Sequence, residues 1–213
     1  MYLNQPLKKY LDEAAAKLPA PGGGSVSALC GSLGAAMAGM VANFTLGKEK
    51  YKEVESEIRQ LLSQSEELRK RLAELTDADV EAYGKIATAY RMPKAGAEEK
   101  VKRSRAIREA CKEALKVPLK TAGYCRDILN LSRRLVDIAN VNLISDVGVA
   151  VILAEAALQA AALNVEINLV GLKDESFVKE KRECLESLLR ESPVIKDEVL
   201  KKVNQSILGS PSQ

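Results

Sequence analysis

The sequence predicts an all-α fold, a multihelical bundle of about seven or eight helices with a long central helix. Three observations carry this. Apolar residues recur at steps of three and four along nearly the whole chain, and no convincing alternating stretch interrupts them. Aromatic content is only 4%, with no Trp and two Phe, so the core must be Leu, Val, Ile and Ala, which suits helices packed closely through small side chains. The 213 residues contain no repeat, linker or low-complexity tract, so one helical domain spanning 1–213 is expected.

The elements follow in order. Leu3, Leu7, Tyr10, Leu11, Ala14 and Leu18 give a first amphipathic helix, stopped by Pro19 and Pro21. A second is expected from about Ser25 to Leu46, and a long third from near Lys48 to Pro93. The fourth begins near Ala97 and meets Pro118; the fifth covers roughly Leu119 to Ala139. A sixth is expected from Asp146 to about Leu172, with Ser145 as its N-cap. Two charged helices, near 175–190 and 194–208, finish the chain.

Composition narrows the chemistry. The net charge of +3 is too mild to argue for a nucleic-acid partner. There is no histidine, which excludes a His-ligated metal, a Ser-His-Asp triad and a Cys-His pair. Acid–base work must come from Asp, Glu, Lys, Tyr or Cys. The four cysteines form no CxxC pair, and "MYLNQPLKKYLDEAA" lacks the apolar run of a secretory signal. Reduced thiols in a cytoplasmic protein are therefore expected. No charge occurs from Leu18 to Gly47, a length that could span a membrane. The small row Gly31, Ala35, Gly39 and the polar Ser25, Ser27, Ser32, Asn43 and Thr45 favour instead a buried central helix that can also meet a second subunit.

Three local features point to a site. The segment "PAPGGGS" at 19–25 fits neither the phosphate-loop nor the dinucleotide pattern. Its glycines can nonetheless turn backbone N–H groups toward one point, beside the positive end of the following helix. It is either a turn capped by Ser25 or a loop that holds a ligand. On the third helix the stripe Val54, Ile58, Leu61, Ser65, Leu68, Leu72, Leu75 leads to Asp79, while Asp77 and Glu81 fall off it and can face water. A carboxylate on a core-facing stripe is either ion-paired or raised in pKa toward general acid–base use. On the sixth helix Asp146, Ala150, Ala157, Ala161, Asn164 and Asn168 share a face, small in the middle and polar at both ends. Such a row serves helix packing or a flat ligand.

"PAPGGGSVSALCGSLGAAMAGMVANFTLGKEKY", "DADVEAY…YRMPK" and "NVNLISDVGVA…NVEINL" together resemble the cyclodeaminase/cyclohydrolase family of folate enzymes, over nearly the whole chain. The resemblance implies an all-helical, cytoplasmic homodimer or higher homo-oligomer without the formimino-transferring part. Its partner would be a tetrahydrofolate derivative, as substrate; it implies no metal, no bound prosthetic group, no nucleic acid and no membrane. Carried onto this chain, it gives Asp79 as the proton carrier, with Asp77 possible, and Lys94, near the substrate loop, as a second catalytic residue. Gly22, Gly23, Gly24 and Ser25 would line the pterin, and Asp146, Asn164 and Asn168 would fix its donor–acceptor edge. Ala20 and Met92 are mild departures. Two reactions stay open, ring closure with loss of ammonia and hydrolytic ring opening. So does a folate-binding or structural helical protein without catalysis.

Overall fold

The computed structural model describes residues 1–170 and 172–209. Their α-helices are α1 (Leu7–Ala15), α2 (Gly23–Thr45), α3 (Glu55–Tyr90), α4 (Ala97–Ile138), α5 (Ile144–Leu169) and α6 (Glu175–Gly209). Short 3₁₀ turns at Tyr2–Asn4, Glu49–Val54 and Val141–Leu143 join them. No strand is present among the described residues.

Six helices stand where about seven or eight were expected, because two prolines that should break helices lie inside them. Pro118 sits within α4 on a buried face that runs without interruption through Leu115, Ala122, Cys125 and Leu129. A proline inside a helix costs about 3 kcal/mol. Burying each large apolar side chain on that face contributes about 1.5–3 kcal/mol, so packing on both sides of the proline outweighs it. Pro193 in α6 is spanned in the same way by Leu188, Ser192, Ile195, Val199 and Val203.

The core is a bundle of α2, α3, α4 and α5, with α6 laid on α4 and α5. Helix α2 runs antiparallel to α3: Ser25 Oγ donates to the Thr76 carbonyl at one end, and Ser32 Oγ to the Arg69 carbonyl further along. It is also antiparallel to α5, since Gly23 lies beside Asn164 while Gly34 lies beside Ala150. The small row faces inward. A Cβ on Gly31 would lie 2.8 Å from Cys125 Sγ, and one on Gly39 would lie 3.1 Å from Ser65 Oγ. Small residues thus let α2 approach α3 and α4 closely. The middle of the α5 row, Ala150, Ala157 and Ala161, is likewise fully packed.

Four local expectations change. The first helix is shorter than its pattern; only Tyr10 of α1 is buried, and Leu3, Leu7, Leu11 and Leu18 stay exposed. Gly22, not Ser25, is the N-cap residue of α2, and Leu143, not Ser145, precedes α5. Asp77 does not face water. It is 6% exposed and accepts the backbone N–H groups of Tyr2 (2.5 Å) and Leu3 (3.5 Å), which ties the N-terminal turn to α3.

Candidate active site

The cleft is built outward from the start of α2. Gly22 has an extended backbone (φ −111°, ψ −167°), and the first intrahelical bond runs from Val26 N to the Gly22 carbonyl. The amides of Gly23, Gly24 and Ser25 therefore precede that ladder and need other acceptors. No side chain of α2 caps them. The acceptor comes from α3 instead: Asp79 Oδ2 receives the Ser25 N–H at 2.9 Å. Glycine at position 24 is what allows this approach. A Cβ there would lie 2.1 Å from Asp79 Oδ1.

Asp79 is only partly exposed, and burial pushes its carboxyl above the usual carboxylate range, with the Ser25 amide pulling it partly back. No cation is paired with it among the described residues. Among the described residues the geometry removes one of the two readings open from sequence, an ion-paired structural carboxylate; burial without a paired cation is what pushes the carboxyl up. Behind it, Ser25 Oγ donates to the Thr76 carbonyl at 2.8 Å, so Tyr10 must be the donor in its 3.0 Å contact with Ser25 Oγ. The Ser25 hydroxyl is thus engaged inside the packing, and the residue serves the cleft through its N–H.

The cleft encloses about 360 Å³. Gly22, Gly23, Gly24 and Asp79 form one side, and Asn164 and Asn168 of α5 face them. Each asparagine gives one amide N–H to the carbonyl four residues earlier, Asn164 to Ala160 and Asn168 to Asn164. These bonds fix both side chains and leave their side-chain carbonyl oxygens without a hydrogen-bond partner among the described residues. Tyr83, Ile86 and Tyr90 extend the wall along α3, and Cys111 closes it from α4, its thiol pushed up by burial. Sequence reasoning missed the two tyrosines as site residues, although Tyr83, Ile86 and Tyr90 follow Asp79 at steps of four, three and four on one helical face. Both rings are about half exposed; Arg103 lies over the Tyr90 ring at 5.4 Å, so the Tyr83 ring and the other face of Tyr90 are left for a flat ligand.

Two expected site residues lie elsewhere. Lys94 is exposed on the 91–96 connection and does not line the cleft. Asp146 begins α5, and Asn164 lies eighteen residues further on, roughly 27 Å along the helix. A larger groove of about 710 Å³ runs along α3 and α4, but its carboxylates have cation partners, Glu67 with Arg71 at 2.5 Å and Asp127 with Arg126 at 3.4 Å, so neither is unpaired as Asp79 is.

A family model described as formiminotransferase-cyclodeaminase matches residues 6–187. The chain belongs to this family. It is 41% identical over 204 residues to a methenyltetrahydrofolate cyclohydrolase of Methylorubrum extorquens, covering 96% of this chain and 98% of that protein. It is 34% identical over 190 residues to the formimidoyltransferase-cyclodeaminase of Rattus norvegicus, covering 89% of this chain but 35% of the rat protein. Its fold matches the crystal structure of a formiminotetrahydrofolate cyclodeaminase from Thermotoga maritima with a TM-score of 0.87, at 32% identity, over 97% of this chain and 100% of that one. The all-helical architecture expected from periodicity is therefore that of the family.

Proposed function

We propose that this chain, as one helical domain, is a folate one-carbon enzyme that opens the methenyl ring of tetrahydrofolate by adding water. The observation that carries this reading is the unpaired, partly buried Asp79 carboxylate set over the N-terminus of α2 in the cleft. The end-to-end likeness to a cyclohydrolase supports it. Ionised Asp79 takes a proton as water bonds to the methenyl carbon. It returns that proton to the departing ring nitrogen as the carbon–nitrogen bond breaks, while the hydroxyl proton leaves to solvent and the formyl group forms. The free amides of Gly23 and Gly24, with the helix dipole behind them, suit an electronegative oxygen of the ligand. The carbonyl oxygens of Asn164 and Asn168 suit the donor edge of the pterin, and Tyr83 and Tyr90 its flat faces.

A second reading rests on the Thermotoga neighbour. In it the same carboxylate, in its acid form, protonates the amine that leaves as ammonia after one folate nitrogen attacks the formimino carbon on the other. The near-ultraviolet absorbance of methenyl-tetrahydrofolate separates the two. The first reading expects the protein to bleach added methenyl-tetrahydrofolate. Growth of the band from formimino-tetrahydrofolate, with no bleaching, supports the second. No change with either substrate overturns both and leaves a binder or a structural protein.

A cytoplasmic homodimer completes the reading. Four free cysteines suit a reducing compartment. Opposite its inward small row, α2 carries Val26, Cys30, Leu33, Met37, Met40 and Phe44 at alternating steps of four and three, with Val26, Leu33 and Phe44 about half exposed. Beside it α5 exposes Val149, Ile152, Leu163 and Ile167. Among the described residues these are the two helices long and apolar enough to cross a membrane, yet 56% and 44% of their apolar windows are buried within the bundle. A second copy covers what remains, because a contiguous apolar face of this kind marks an interface. Light scattering at micromolar concentration should give at least twice the 23.1 kDa chain mass; a monomer overturns the assignment.

A further inference from the structure

Helix α1 buries a single side chain, Tyr10, and leaves Leu7 and Leu11 exposed. Apolar burial therefore gives this helix little reason to lie where it does. What Tyr10 reaches supplies the reason. The residue is 5% exposed, and its hydroxyl donates to Ser25 Oγ at 3.0 Å. Ser25 Oγ in turn donates to the Thr76 carbonyl at 2.8 Å, while the Ser25 N–H meets Asp79 Oδ2 at 2.9 Å. One residue of α2 thus stands between the Tyr10 phenol and the Asp79 carboxylate.

The Tyr10 ring is itself held. Tyr2 packs edge-on against it, with ring centres 5.1 Å apart and planes at 88°. The Tyr2 hydroxyl donates to Glu13 of α1, which pushes that phenol up to about 12, and the Tyr2 N–H donates to Asp77. These contacts close a circuit. It leaves α3 at Asp77, passes through Tyr2, Tyr10 and Ser25, and returns to the same turn of α3 at Asp79. Burial pushes the Tyr10 phenol above its ordinary value, so it keeps its proton and goes on donating at neutral pH.

The circuit matters because no side chain of α2 caps its own first turn. The Ser25 hydroxyl is anchored from two elements, α1 and α3, and that anchorage sets where the Ser25 amide points. In a buried chain of hydrogen bonds each member orients the next, so losing the first loosens the last. We propose that Tyr10 is a positioning residue for the reaction: acting through Ser25, it fixes the first turn of α2 against Asp79, and the N-terminal turn holds its ring in place. Tyr10 does not line the cleft and touches no reacting atom. The inference rests on the hydrolytic reading of Asp79 and extends it to a segment outside the cleft.

The experiment follows the titration of Asp79, which needs no turnover, alongside the hydrolytic rate. The titratable groups around Asp79 are Tyr83 of its own helix and Cys111 of α4 in the cleft, with Tyr10 and Asp77 behind it; none is a cation, and α5 contributes only the neutral Asn164 and Asn168. The Ser25 amide is therefore what pulls the Asp79 carboxyl down against burial. Tyr10→Phe removes only the hydroxyl. It should move the Asp79 midpoint to higher pH by about half a unit or more, read by carboxyl-carbon NMR on the signal that Asp79→Asn lacks. Hydrolysis of methenyl-tetrahydrofolate should slow about tenfold, and its pH midpoint should rise in step. Ser25→Ala should shift the midpoint likewise, and adding Tyr10→Phe to it should change nothing further, because the two act in series. Should Tyr10→Phe fail to fold, the shift in Ser25→Ala decides. Leu7→Ala, on the exposed face of α1, should match the parent. A lower melting temperature in Tyr10→Phe with an unmoved midpoint, additive effects in the double variant, or an equal shift in Leu7→Ala overturns the positioning role and leaves the folate reading intact. A parent that does not bleach methenyl-tetrahydrofolate overturns the hydrolytic reading, and the NMR midpoints still decide whether Tyr10 positions Asp79.

Discussion

Replacing Asp79 by Asn should lower turnover by about a hundredfold or more while the bundle stays folded. Asparagine keeps the shape and its oxygen can still accept the Ser25 N–H, so the cap on α2 survives. What disappears is the group that moves the proton. Burial raises the Asp79 carboxyl above the usual carboxylate range, about 4, so the folded state holds its proton more tightly than the unfolded chain. By linkage, the stabilisation this group contributes is fully present below the unfolded value and is lost as pH rises through the folded one. At neutral pH the ionised, partly buried carboxylate is therefore a cost to the fold that a neutral asparagine does not carry. The Asp79→Asn variant should melt no lower than the parent at pH 7, and its melting temperature should depend less on pH above about 4. The parent's hydrolytic rate should rise with pH through the same raised pKa, because the ionised form is the base. Retained activity in the variant overturns the role of Asp79. A large fall in melting temperature would make the residue structural.

The contrast between Asp79 and Asp77 shows how far the sequence could be read. An apolar stripe stepping by three and four tracks a helix of 3.5 residues per turn, whereas a straight helix has 3.6 and drifts about 20° per heptad. Over Ile58, Leu61, Ser65, Leu68 and Leu72 the two agree, and all five are buried. Beyond Leu72 the buried face slips to Thr76 and Asp77, and Leu75 becomes half-buried. Projecting the stripe forward therefore placed Asp79 on the inner side but sent Asp77 to solvent. Periodicity also has no access to what the N-terminal turn does, and its two backbone donors are what make burial of Asp77 tolerable. The prolines are the converse case. Local rules end a helix at Pro118 and Pro193, and only the unbroken buried faces on both sides, a tertiary fact, overrule them. Asp146 lies away from the cleft for a third reason: a shared helical face says nothing about distance along the axis, and the two polar ends of α5 sit at opposite ends of the bundle.

Replacing Gly24 by Ala should cut turnover by about tenfold or more without destabilising the protein, and the two halves of that result have separate origins. Position 24 is in the first turn of α2, and its backbone is ordinary helix that any residue adopts. On helix propensity alone, alanine should stabilise it by up to about 1 kcal/mol. A glycine that served only as part of an interhelical turn would tolerate the change or benefit from it. The new methyl carbon, however, would lie 2.1 Å from Asp79 Oδ1 and 2.9 Å from Oδ2, far inside any van der Waals contact. The carboxylate must swing away and give up the Ser25 amide, or the helix start must shift; both undo the placement of the proton carrier. Gly22→Ala is the matched control, because a Cβ at Gly22 meets nothing within 4 Å. That variant should therefore lose less activity than Gly24→Ala at equal or better stability. Steady-state rates and melting temperatures of the two variants decide the matter: equal activities would mean that the glycines act through loop flexibility. A loss confined to position 24 would mean that the site requires its missing side chain, so that the carboxylate of α3 can rest on the first turn of α2.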